Sequence, residues 1–541
     1  MTWGTFRYLL SLLLLLSAVI SRTDAKERFL IIHLDGTCTT DFFCELEKGN
    51  LPNLAELINQ GYVIPHALSL FPGATEIIVP RLEEGLDNSQ GEFIAWGNYY
   101  RETGRKTGKP TIFIKLNQAM PRRSLSCFLF GIPGLHYLNG HALLNTAGLF
   151  ELYDTVHYYW FSTDTLGHIF GREYHHRDLQ RFDGFFGKLR EILDDDINII
   201  IYMDHGMSFD VEDTINPRKE ICRYIDSGEI LAVIPPNIFL DDNSLENVEK
   251  NSRKLIKDSM FDFVFHRIDD NTVKGYTREA CLFFRKKGDR YSYDFTGTDV
   301  LGYYLLGYDG GFLSADEWLE LTCRHKYPGA PVNIFRYLSN PHTGDIVAVV
   351  NPPVIPVDLH AVRAHHAGIT GTDLTVPVLL KGNALKHLYG EKHIWLHTLF
   401  QKIPELDLSA EPGREKNCFA YYINRKSDEE NSILHLSFSP AYRWRLNARF
   451  SDEKSLWAER DVFAGYFLRV WLGAGIRRHE STTGAVATIF SELRYRRFSF
   501  NALLSYPKKS SSSAYCLNYK LTDTVQLTWL FPKNLGLKLS W

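Results

Sequence analysis

Short apolar runs bordered by cation-binding side chains are the feature that most constrains this chain. Phe29–Leu34 (FLIIHL) runs into Asp35-Gly36, Val156–Phe161 into Asp164 and His168, and Ile197–Met203 into Asp204-His205-Gly206. A fourth run, Val376–Leu380, follows His365-His366-Ala367-Gly368. Runs this short and unbroken are the pattern of strands buried on both faces of a sheet. Helical periodicity lies between them. Pro52 to Gly61 carries Leu54, Leu57 and Ile58 on one face and ends on the glycine. Arg177 to Leu193 carries Leu179, Phe182, Phe186, Leu189 and Leu193. Strand–helix–strand alternation predicts a doubly wound α/β sheet with helices on both faces. Ligands of such sheets bind beyond the carboxyl ends of the strands, so the chemistry is expected just after each run.

The two ends of the chain read differently. Arg7 precedes an apolar run from Tyr8 to Ile20, and a polar stretch ends at Ala25. Residues 1–25 are expected to be a secretory signal peptide, cleaved after Ser21 or Ala25. The alternative is an anchor helix, but the run falls short of the roughly 20 apolar residues that a spanning helix needs. Gln401 to Lys416, with Pro404 and Pro412-Gly413, reads as a linker (401–416) closing an α/β domain over 26–400. From Asn417 the period becomes two. Tyr442, Trp444, Leu446, Ala448 and Phe450 alternate with Arg443, Arg445, Asn447 and Arg449, and Leu535, Leu537, Leu539 and Trp541 close the chain in the same way.

Residues 417–541 are therefore expected to form an antiparallel β domain, with two readings. One is a soluble sandwich or barrel that binds glycan or a partner. The other is a membrane barrel of about eight strands, at roughly 9–11 residues per strand with short turns. An aromatic face, an arginine-rich opposite face and a terminal aromatic strand, similar to the assembly signal of bacterial outer-membrane barrels, favour the second. The alternation blurs between Asp452 and Arg460 and at Arg496-Arg497. The expected location is outside the inner membrane, in a bacterial outer membrane or periplasm.

Composition narrows the function. Sixty basic against 64 acidic side chains give a formal charge of −4, so charge implies no nucleic-acid partner. None of the eight cysteines forms a CxxC pair, which argues against a zinc knuckle. Cys38 and Cys44 read either as a local pair or as small buried side chains. The strand ends, by contrast, offer three carboxylates (Asp35, Asp164, Asp204) and three imidazoles (His168, His205, His366). That mixture of oxygen and nitrogen donors suits two zinc ions or similar divalent metals. Phe71-Pro-Gly-Ala-Thr75, ahead of the apolar stretch Ile77 to Leu82, proposes a hydroxyl nucleophile. Its structural alternative is an ordinary N-cap threonine.

The ordered series resembles the type I phosphodiesterase/nucleotide pyrophosphatase branch of the alkaline phosphatase superfamily. It comprises Leu34-Asp35-Gly36, Pro52-Asn53-Leu54, Phe71-Pro72-Gly73-Ala74-Thr75, Asp164-Thr-Leu-Gly-His168, Asp204-His205-Gly206-Met207 and His366-Ala-Gly-Ile-Thr370. The resemblance runs from about Phe29 to Gly382. It implies an alkaline-phosphatase-like sheet and a small phosphate ester as substrate, most naturally a diester or pyrophosphate. It also implies one metal held by Asp35, Thr75, Asp204 and His205 and another by Asp164, His168 and His366, with a phospho-threonine formed on Thr75. The alternatives are phosphomonoester hydrolysis or phospho-group transfer at the same site, and a non-catalytic binding protein displayed on a barrel.

Two departures bear on nucleotides. Glu76-Ile77-Ile78 follows Thr75 where nucleotide-cleaving members place an asparagine shortly after the nucleophile, and Asn98 reads either as a substitute donor for a phosphate oxygen or as an ordinary turn residue. Thr163 replaces the usual proline before Asp164. The absence of a Cys-x-Pro-Ser-Arg segment argues against the sulfatase branch. Arg172, His175 and His176 read as a solvated helix end or a substrate-facing loop. Val273 to Gly307, with a turn at Lys287-Gly288-Asp289, reads as a hairpin insertion.

Overall fold

The structure is a computed structural model. It describes residues 27–95, 97–107, 136–150, 153–209, 211–351, 354–355, 362–366 and 368–408, and ten strands between Cys418 and Ser540. The expected signal peptide and most of the expected linker lie outside the described residues. Phe29–Leu143 and His157–Leu408 form one compact unit, and Ser409–Trp541 belongs to the other.

The first unit is built on a six-stranded sheet. Its order is His393–Trp395, Tyr62–Leu68, Thr375–Lys381, Asn198–Tyr202, Phe29–Leu34, Thr155–Trp160. All four apolar runs are strands of this sheet. Phe29–Leu34 and Asn198–Tyr202 pair in parallel, and each is wholly buried, as unbroken apolar sequence requires. Thr375–Lys381 is antiparallel to both of its neighbours, so the sheet is mixed. The helix Pro52–Gln60 stops at Gly61, where a Cβ would meet the Leu380 carbonyl oxygen at 2.1 Å. The second expected helix starts earlier than its periodicity suggested, spanning Arg172–Arg190.

A second, eight-stranded antiparallel sheet runs from Leu313–Ser314 through Arg290–Gly297, Ala280–Lys287, Thr272–Tyr276, Phe263–Asp269, Ile346–Val349 and Asn237–Leu240 to Ile230–Ile234. The expected hairpin belongs to it. Lys287 pairs with Arg290 across Gly288-Asp289, and Gly288 takes the left-handed backbone that such a tight turn requires (φ 60°). Trp318, Phe335 and Tyr293 pack in the core beneath this sheet.

The second unit contains a closed antiparallel barrel of ten strands, in which Cys418–Asn424 pairs with both Ser432–Ala441 and Asn534–Ser540. This corrects the expected eight. The strands run from 7 to 14 residues. Five of them have only 7 or 8, below the roughly 9–11 expected, which leaves room for two more. Among the side chains described, Leu446, Leu456, Leu472, Ile476, Ile489, Leu493 and Phe500 are exposed, whereas Asn447, Trp457, Glu459, Trp471, Thr488 and Asn501 are buried. Among the described side chains of Glu453–Ala464, Leu456 is exposed and Trp457 and Glu459 are buried, so the in–out period holds there while the apolar–polar period does not. Arg496-Arg497 lies outside the described residues. Glu459 accepts hydrogen bonds from Arg445 (Nη2 2.7 Å), Asn447 (2.9 Å), Trp457 (2.8 Å) and Thr488 (3.4 Å). Among the described residues no helix is long and apolar enough to cross a membrane.

Candidate active site

The acidic and imidazole side chains singled out in the sequence sit where the chain leaves the central strands. Asp35 follows Phe29–Leu34, and Gly36 behind it turns with φ 69°, where a Cβ would lie 2.9 Å from an Asp164 carboxylate oxygen. Only glycine brings the two aspartates together at this turn. Gly206 plays the same part behind Asp204-His205, because a Cβ there would fall 1.9 Å from the Thr372 carbonyl oxygen. Asp164 and His168 occupy one face of the helix Ser162–Phe170 at i,i+4 spacing, with His168 Nε2 3.3 Å from Asp164 Oδ1.

Thr75 is the first residue of the helix Thr75–Glu84, whose N-cap is Ala74. It is therefore not the cap, and its hydroxyl turns into the cluster instead. Oγ1 lies 3.2 Å from His205 Nε2 and 3.5 Å from Asp35 Oδ1.

The three imidazoles share one orientation. Nδ1 of His168 lies 2.6 Å from the Ala364 carbonyl oxygen, Nδ1 of His205 lies 2.9 Å from that of Gly206, and Nδ1 of His366 bonds the Gly73 carbonyl. A carbonyl only accepts, so each Nδ1 carries a hydrogen and each Nε2 is turned to the cluster. The Nε2 atoms converge: those of His168 and His366 stand 3.1 Å apart, with Asp164 Oδ1 3.5 Å from the latter. Nitrogens this close need a proton or a cation between them, and the Asp164 carboxylate raises the pKa of His168 against burial. Nδ1–H held on a carbonyl with Nε2 turned away from it is also the arrangement that orients metal-binding histidines. The donor set fits divalent metal.

Ligand atoms within 4.8 Å of one another form two buried groups, Asp164/His205/His366 and His33/Asp35/Asp204. His205 stands between them, since its Nε2 is also 3.5 Å from Asp35 Oδ1 and 3.4 Å from Asp204 Oδ2. The electrostatics agree. Burial, then the charges of Asp204 and Asp164, raises the Asp35 carboxyl well above the usual carboxylate range. Burial also opposes charge on Asp164 and Asp204. There the nearby imidazoles outweigh it, His168 foremost for Asp164 and His205 for Asp204, and both pKa values fall. Burial, then His205, lowers His366 well below its ordinary value and favours its neutral form. Three carboxylates in this volume call for positive charge.

The other residues singled out in the sequence make the following contacts. The Asn98 amide donates to the Glu92 carbonyl (2.6 Å) and approaches the Tyr100 hydroxyl (3.5 Å), with no bond to Thr75 or to a ligand residue. His365 stacks on His366 at 5.4 Å as a neighbour. Arg172 and His176 both contact Asp41 Oδ1, at 3.1 and 3.4 Å, and His175 is buried against Thr37 and Thr163. Thr163 donates to the Asp35 carbonyl at 2.6 Å. Cys38 and Cys44 are free thiols, and Cys38 Sγ caps the helix Thr39–Glu47 through the Asp41 amide. Two side chains at the site went unread in the sequence, His33 and Tyr159. The only local signal for His33 is a histidine interrupting an apolar strand two residues before Asp35, hence on the same face.

Residues 128–310 match the family model of type I phosphodiesterase / nucleotide pyrophosphatase. The matched stretch holds Asp164, His168, Asp204 and His205, while Asp35, Thr75 and His366 lie outside it. The match supports a hydrolase of the alkaline phosphatase superfamily. Among solved structures the chain is similar to human ectonucleotide pyrophosphatase / phosphodiesterase 5, at 13% identity and a TM-score of 0.43 over 70% of this chain and 93% of that one. The murine protein, as an inactive variant in complex with AMP, gives 12% and 0.43 over 71% and 96%. Wild-type alkaline phosphatase PafA gives 12% and 0.45 over 70% and 95%. No curated protein matches the chain.

Proposed function

We propose that this chain is a metal-dependent hydrolase of phosphate esters, acting on diesters or pyrophosphates through a phospho-threonine on Thr75. One observation carries the reading: three histidines hold Nδ1–H on backbone carbonyls and turn Nε2 toward three buried aspartates and the Thr75 hydroxyl. Asp35, Asp204 and His205 with Thr75 would hold one divalent cation, and Asp164, His168 and His366 the other, with zinc foremost. When bound, such cations lower the pKa of a hydroxyl and neutralise phosphoryl oxygens. The chain supplies the rest. Thr75, fixed at the start of its helix, gives up its hydroxyl proton and attacks phosphorus in line; the ester oxygen leaves with its electron pair. Water then attacks the phospho-threonine from the vacated side, releasing phosphate or a phosphomonoester and restoring the hydroxyl.

The deciding experiment compares a chromogenic phosphate diester with the matching monoester, using wild-type protein and Thr75→Ala. Diester turnover above monoester turnover, lost in the variant, is the expected result. Preference for the monoester reassigns the substrate class, and no turnover of either by metal-replete protein overturns the reading.

We further propose that the chain is exported and that the ten-stranded barrel anchors it in a bacterial outer membrane. Apolar side chains on the described outer surface and a polar, hydrogen-bonded interior support this, because a barrel in lipid must be apolar outside and is free to be polar within. Fractionation of expressing cells tests it, and recovery of the whole protein in the soluble periplasmic fraction would overturn it.

A further inference from the structure

We infer that His33 and Tyr159 are positioning residues that leave Asp204 and Asp35 one oxygen each for the cation; this rests on the metal reading proposed above. The two carboxylates are divided in the same way. Asp204 turns Oδ1 to His33 Nε2 at 2.9 Å and Oδ2 toward His205 Nε2 at 3.4 Å. Asp35 receives the Tyr159 hydroxyl on Oδ2, while its Oδ1 faces Thr75 Oγ1 and His205 Nε2, each at 3.5 Å. In both aspartates one oxygen is occupied from behind and the other looks into the site. A carboxylate held this way cannot rotate into two-oxygen ligation without giving up that contact.

The sheet builds this arrangement. His33 and Tyr202 are register partners on the parallel strands Phe29–Leu34 and Asn198–Tyr202, and Asp35 and Asp204 each follow two residues later. Thr155–Trp160 flanks Phe29–Leu34 on its other side and brings Tyr159. The His33 ring is stacked between the tyrosines, 4.5 Å from Tyr159 at 17° and 4.8 Å from Tyr202 at 8°. Rings stacked across three adjacent strands fix the His33 plane, with Nε2 2.9 Å from Asp204 Oδ1. A hydrogen on that nitrogen would close the contact as a hydrogen bond and keep the nitrogen from ligating a cation. All four groups are fully or almost fully buried, so water does not compete for the contacts.

The test uses the full chain loaded with zinc and compares wild type with His33→Phe, His33→Gln and Tyr159→Phe. Zinc release to a competing chelator and the number of imidazoles bound to zinc, read by X-ray absorption, are the measurements. His33→Phe should keep the ring stack and release zinc about 10–100-fold more readily, with the imidazole number unchanged. His33→Gln should recover part of the loss through its amide donor. Tyr159→Phe should shift release in the same direction, and it carries the test alone if His33→Phe does not fold. Unchanged zinc release in the folded variants would overturn the inference. Loss of one imidazole in His33→Phe would overturn it too, by making His33 a ligand. A wild-type protein that binds no zinc would instead sink the metal reading beneath it.

Discussion

The Thr75 hydroxyl oxygen stands 3.2 Å from His205 Nε2, although 130 residues separate the two in the chain. A threonine at the start of a helix ordinarily turns its oxygen back on the helix amides. Here Ala74 occupies the cap position without a side-chain bond, and the Thr75 oxygen is committed to the cluster. Helix capping does not account for the threonine.

Thr75→Ala should therefore abolish turnover while changing stability by no more than about 1 kcal/mol, since no capping bond is lost. Thr75→Ser should retain a fraction of the rate. Turnover and thermal unfolding measured on the same preparations check both statements. Wild-type rates in the alanine variant would move the nucleophile elsewhere.

Metal analysis of protein purified without chelator should find two divalent cations per chain. Stripping them should lower the melting temperature, because cations held only by the folded chain stabilise it and Asp35 is left buried beside the charges of Asp204 and Asp164. Active protein with a stoichiometry near zero is the contrary result.

Asn98→Ala should leave the rate within about tenfold of wild type and cost roughly 1–2 kcal/mol of stability, because its amide is spent on the Glu92 carbonyl. A rate loss of about 10²–10³-fold would instead make Asn98 a donor to the transition state. Steady-state kinetics beside chemical denaturation separate the outcomes.

His397 offers a pH signature away from the cluster. Burial, then the nearby Arg336, lowers its pKa from 6.5 to about 4. A histidine with a depressed folded-state pKa takes up its proton more readily unfolded. Its contribution is intact above the unfolded pKa, is lost as pH falls from 6.5 towards 4, and changes no further below that. At about 1.4 kcal/mol per pKa unit the loss is at most roughly 3–4 kcal/mol. Unfolding free energy followed over this window should fall less steeply in His397→Gln than in wild type; parallel slopes would contradict the assignment.

Leu446 faces outward on the barrel. If the outer surface meets lipid, Leu446→Arg near the membrane midplane should cost roughly 2–4 kcal/mol, and Leu446→Phe should be tolerated. Asn447→Arg is not a neutral comparison, because Asn447 is packed against Glu459. Heat-dependent gel mobility and membrane fractionation of the full chain report the difference. An arginine variant as stable as wild type, in protein soluble without detergent, would exclude a lipid-facing wall.

What the sequence determined by itself is local in origin. An apolar run such as Phe29–Leu34 must be buried on both faces wherever it lies, and a polar residue at its end must emerge at the sheet edge. Asp35, Asp164, His168, Asp204 and His205 were legible for that reason, and the in–out period of the barrel was legible likewise. The tertiary structure decided everything that depends on a partner distant in the chain. The strand Asn198–Tyr202 places Tyr202 against His33, and Thr155–Trp160 brings Tyr159 to Asp35. Glu92 takes the Asn98 amide, and closure between Cys418–Asn424 and Asn534–Ser540 sets the barrel at ten strands. Periodicity reports which face of an element a side chain occupies. Which atom it bonds there is set by packing, because a buried polar group takes whichever partner the fold brings within about 3 Å.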